Sequence, residues 1–123
     1  MNIRSKALIW LNSHFGQVEG KIYTSKYYIP DESWPRKHVW WPQIPLRVVN
    51  EPGVNNINIL CQVEPGKNEF HYLKVPVNYF QDNLDSFDVV QGMIHLYLSA
   101  EPGNLFAEIR GRGNLGFEQF LVL

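Results

Sequence analysis

At 123 residues, 45% apolar and 19% charged, the chain is long enough to bury a core unaided and too apolar for a disordered segment. Its formal net charge of −1 argues against the broad basic surface of a nucleic-acid binder, and its one cysteine, Cys61, excludes an internal disulfide. These values predict a single compact domain over residues 1–123, soluble and cytoplasmic, with no membrane association.

Residues 3–15 read as an amphipathic helix, with Asn2 as N-cap and Ile3, Ala7, Leu8, Trp10, Leu11 and Phe15 near a 3.6-residue period. Asn12 and His14 interrupt it, and it is too short for a signal peptide or a span. Gly16 sits where a C-cap would end it. Lys21 to Ile29, rich in Tyr and Thr, predicts a strand closed by Pro30-Asp31. After a polar loop, Val39 to Val49 reads as extended, but Pro42 and Pro45 cannot donate to a ladder and place it at an edge or bulge.

The tripeptide Glu-Pro-Gly occurs three times, at 51–53, 64–66 and 101–103, and each copy closes an apolar stretch. Proline presets φ at the second position of a turn, and glycine supplies the positive φ of a type II turn at the third. The second copy joins Ile57–Val63, where apolar residues alternate, to Glu69–Val75; this is the strongest hairpin signal. Pro76 then opens a helix near residues 76–86, with Val77, Phe80, Leu84 and Phe87 on one face. Met93 to Ala100 predicts a further strand, followed by a short segment 105–109, a glycine-rich loop and a terminal strand 117–123. The fold class expected is α+β: an N-terminal helix and one further helix packed on a mixed, mainly antiparallel sheet of about five to seven strands.

Catalytic patterns fail one by one. Gly111-Arg112-Gly113-Asn114-Leu115-Gly116 spells the dinucleotide-binding G-x-G-x-x-G, but only seven residues follow, too few for the helix and strand that the chemistry requires. Pro30-Asp31 could begin a PD-(D/E)xK nuclease site, yet no acid-x-lysine follows it; Glu19-Gly20-Lys21 precedes it, and Glu64 and Lys67 are one residue too far apart. The four histidines show no metal-ligand spacing, and Cys61 falls among alternating apolar residues as an inert thiol. No catalytic residue, metal ligand or cofactor-binding residue is therefore assigned.

Contact chemistry concentrates in two places. The segment Trp34, Arg36, Lys37, His38, Trp40 and Trp41 holds three of the four tryptophans beside cations, the pairing used by stacking platforms and by protein interfaces. Trp40 and Trp41 should point to opposite faces of a strand, which leaves Trp34 as the best contact residue of the three. Arg110 and Arg112 flank the glycines of the second segment and could meet an anion. The expected function is a non-catalytic binding or protein-interaction module, with a protein partner or a homodimer as its contact. The alternative is a nucleic-acid-associated protein with a degenerate restriction-endonuclease-like core.

Overall fold

The computed structural model describes all 123 residues. Its elements run α1 (Ile3–Phe15), β1 (Lys21–Ser25), β2 (Tyr27–Tyr28), β3 (Val39–Trp40), β4 (Gln43–Pro45), α2 (Leu46–Val49), β5 (Asn56–Gln62), β6 (Phe70–Pro76), α3 (Val77–Asp82), β7 (Asp88–Val90), β8 (Met93–His95), β9 (Leu98–Ser99) and β10 (Leu121–Val122). The class is α+β as expected. The strands, however, form three small sheets rather than one: β1-β5-β6-β10, β2-β3-β9 and β4-β8-β7.

The first sheet is built on the predicted hairpin, in which β5 and β6 pair antiparallel from Asn56↔Pro76 to Gln62↔Phe70. β1 lies parallel to β5, and β10 closes the other side of β6. The apolar C-terminus is thus paired within its own sheet. Ile57, Ile59 and Cys61 enter the main core with Trp40, Ile44, Leu73, Val75, Phe80, Ile94, Leu98, Phe106 and Phe117.

The opposite face of β5 is also buried, which the alternation did not predict. Helix α1 covers it, and Leu60 joins Ala7, Leu11, Phe70 and Tyr72 in a second cluster. Buried polar groups on that face must then find partners. Asn58 donates to the carbonyls of Glu19 and Lys21 and accepts from the Tyr72 hydroxyl; Gln62 accepts from the Tyr27 amide and donates to the Lys67 carbonyl. The N-cap of α1 is as expected, with the Ser5 amide donating to Asn2 Oδ1 at 2.8 Å.

Three further expectations change. The single strand over 21–29 breaks at Lys26, because the Ser25 hydroxyl donates to the Lys26 carbonyl and accepts from the Trp41 amide, turning the chain into the second sheet. Residues 39–49 are two short strands and a helical turn, with Pro45 leading into α2. The first two Glu-Pro-Gly copies are hydrogen-bonded turns with Gly53 at φ +88° and Gly66 at φ +78°, but Pro102–Asn104 is a single 3-10 turn and Gly103 is not among the positive-φ glycines.

Candidate functional site

The loop from Ile29 to His38 is irregular but tightly tied. The amides of Glu32 and Ser33 both donate to the Ile29 carbonyl, and Lys26 Nζ lies 3.1 Å from Glu32 Oε2. Ser33 Oγ donates to the Lys37 carbonyl at 2.7 Å and accepts from the Lys37 amide at 3.0 Å, closing the loop on itself. Between them Trp34 is 84% exposed, the highest exposure of any large apolar ring in the chain, and it touches no other ring. Arg36 (φ +57°) and Lys37 are exposed and enter no ion pair. His38 is half-buried 5.7 Å from the Tyr27 ring, and its Nδ1 is buried with no hydrogen-bond partner.

The two adjacent tryptophans separate as strand alternation requires. Trp40 is 1% exposed, stacks on Phe106 at 5.0 Å and donates its indole N–H to the Gln62 carbonyl at 2.7 Å. It is a core residue and offers no surface to a partner, which removes it from the contact set. Trp41 stays half-buried at the surface and donates to His95 Nδ1 at 3.2 Å. An indole N–H can only donate, so Nδ1 must accept and the neutral imidazole carries its proton on Nε2. Burial and the nearby Arg110 cation hold His95 below the ordinary imidazole range, against the opposing pull of Asp88.

Around Trp41 the structure assembles a band of rings and cations that the sequence did not reveal. Lys26 lies 4.7 Å over Tyr28, Tyr28 is 6.1 Å from Trp41, Trp41 is 5.7 Å from Tyr97, and Arg110 lies 4.9 Å over Tyr97. Arg110 also donates to Asp88 Oδ2 at 2.7 Å, and Asp88 stands opposite His95 across β7 and β8. Trp41 and Arg110 are therefore linked through Tyr97, whereas Trp34, Arg36 and Lys37 stand apart on the other loop. Side-chain contacts between segments far apart in sequence, which no local pattern signals, make the band.

The glycine-rich loop has a structural explanation. A Cβ on Gly111 would lie 2.0 Å from the Ser86 carbonyl oxygen, and one on Gly113 would lie 2.9 Å from the Ser86 side chain. The glycines let residues 110–113 run against Ser86, whose carbonyl accepts from the Arg112 amide. Glu108, 1% exposed, pins the same loop by accepting from the amides of Tyr97, Arg110 and Gly111. Burial pushes its carboxyl above the usual range, although those three N–H donors favour the anion. Arg110, Gly111 and Arg112 line a cleft of about 600 Å³ with Asp85, Phe87 and Asp88, so two acids face its two arginines.

Elsewhere, His71 packs edge-on against Trp40 and Phe106, whereas His95 lies in the β4-β8-β7 sheet. Cys61 is buried, and burial raises its thiol pKa, which makes it a poor nucleophile. No group of three or more His, Cys, Asp or Glu side chains is arranged to hold a metal ion, and no helix is long and apolar enough to cross a membrane. The chain matches no protein-family model, no curated protein and no solved structure.

Proposed function

We propose that this chain is a non-catalytic binding module that docks a protein partner through Trp34. The observation that carries the reading is the exposed indole on a loop closed by Ser33. An indole in water holds a large apolar area ready for burial, and a loop already ordered loses little entropy on binding. Arg36 and Lys37 flank it without acidic partners of their own, which favours an apolar pocket with an acidic rim. A second copy of the chain is the homodimeric version of the same contact.

The nucleic-acid alternative has weaker support. Arg110 is engaged with Asp88, Arg112 shares its cleft with Asp85, and neither lies with Arg36 and Lys37.

Peptides selected from a random display library against the wild-type protein test the reading. They should combine apolar and acidic residues and bind Trp34→Ala at least about 30-fold more weakly, the effect expected of a central interface tryptophan. The melting temperature should not change, because Trp34 contributes no packing. Selected peptides that bind wild type and Trp34→Ala equally would overturn the proposal.

A further inference from the structure

A second cleft, of about 380 Å³, lies between the first turn of α1 and the bend joining β1 to β2. Its lining includes Arg4, Tyr23, Lys26, Tyr28 and Trp41, and no acidic residue. This contrasts with the Arg110–Arg112 cleft, where acids balance the arginines. The volume is at the small end of the range for small-molecule sites.

Each group is positioned by the fold. Arg4 donates through one terminal nitrogen to the Ile22 carbonyl at 2.8 Å, which fixes the guanidinium while leaving its other N–H groups unengaged. Lys26 lies over Tyr28, and its Nζ is paired only with Glu32, a half-exposed contact. A pair of that kind is worth little in water, so Lys26 can turn to a buried anion at small cost. The Trp41 indole edge is held by His95, which sets the angle of its ring, and Tyr28 stands beside it at 56°. Two cations near fixed aromatic faces, with no carboxylate between them, match a ligand that is both flat and negatively charged.

We propose that this cleft binds a phosphate-bearing heteroaromatic ligand of the nucleotide type. The phosphate meets the unengaged N–H groups of Arg4 and the ammonium of Lys26, and the base lies against Trp41. None of the cleft residues belongs to the Trp34 loop, and only Lys26 touches it, through Glu32, so Arg4 is the residue that separates this site from the docking reading. The same chemistry could come from a free nucleotide or from the end of a single strand.

The test follows the Trp41 indole N–H resonance of the full chain during titration with adenosine monophosphate, adenosine, inorganic phosphate and a short oligodeoxyadenylate. Adenosine monophosphate should move it saturably, whereas adenosine and phosphate alone should bind at least about tenfold more weakly, since each lacks one half of the recognition. Arg4→Gln and Lys26→Gln should each weaken the nucleotide by about tenfold, the loss of one charge-assisted contact, and Arg4→Gln, which touches nothing in the Trp34 loop, should leave the Trp34 indole resonance in place. Tighter binding of the oligonucleotide would assign the strand as the source; equal or weaker binding would assign the free nucleotide. The proposal is overturned if neither ligand shifts Trp41 at concentrations up to about 10 mM, or if adenosine binds as well as its monophosphate. The wild-type ligand comparison needs no variant, so it decides even if Arg4→Gln loosens α1.

Discussion

Glu108 shows how one side chain can shape a loop at an electrostatic cost. Its two oxygens accept three backbone N–H groups, yet burial outweighs them and raises the carboxyl above the ordinary 4.5. The folded state therefore holds this proton more tightly than the unfolded chain. Stability from the group is complete below pH 4.5 and declines as pH rises through the raised folded value. Glu108→Gln places an amide NH₂ where an oxygen accepted, so one backbone donor loses its partner. The variant should lose about 1–3 kcal/mol by chemical denaturation at acidic pH. Its deficit relative to wild type should shrink as pH rises above 4.5, because only the wild type carries the ionisation penalty. A deficit that grows with pH would show that the hydrogen bonds, and not burial, dominate.

At the scale of elements, glycines of different kinds should respond differently to a methyl group. Gly66 has φ +78° and open space where a Cβ would lie, so Gly66→Ala meets only the backbone penalty of about 1 kcal/mol. Gly111→Ala would drive a methyl into the Ser86 carbonyl and should cost at least about 2 kcal/mol more, with the loop displaced from its place beside Ser86. Equal melting temperatures for the two variants would remove this account of the glycine-rich loop. These elements also mark what the sequence could convey. Helix α1, the hairpin of β5 and β6 and the start of α3 were legible, because a cap, a turn and a proline act over a few residues. The division into three sheets was not, since it depends on Ser25 reaching Trp41, 16 residues away. The site divides in the same way. Trp34, Trp41 and Arg110 could be suspected from composition, but Tyr28, His95 and Tyr97 join them only through pairings made in the folded chain.

For the molecule as a whole, the C-terminus is a closing strand and not a loose tail. Leu121 and Val122 pair with Leu73 and Tyr72 of β6, and Phe120 packs 4.8 Å from Tyr79. Removing residues 120–123 deletes three half-buried side chains and should cost roughly 3 kcal/mol on the apolar-area scale. It also leaves β6 as an open edge, so the truncated protein should self-associate in sedimentation experiments. Removing Leu123 alone, which is fully exposed, should change neither property. A stable monomer after the longer deletion would show that β6 does not need its neighbour.

The unequal burial of Trp34, Trp40 and Trp41 has an optical consequence. An indole in water emits at longer wavelength than one enclosed by apolar rings, so Trp34 supplies the red edge of the intrinsic fluorescence and Trp40 the blue. Iodide reaches the first and not the second. The chain thus reports separately on its surface and its interior: a partner covering Trp34 would protect the red emission from quenching, whereas loosening of the core would shift the blue emission while Trp34 stayed as it was.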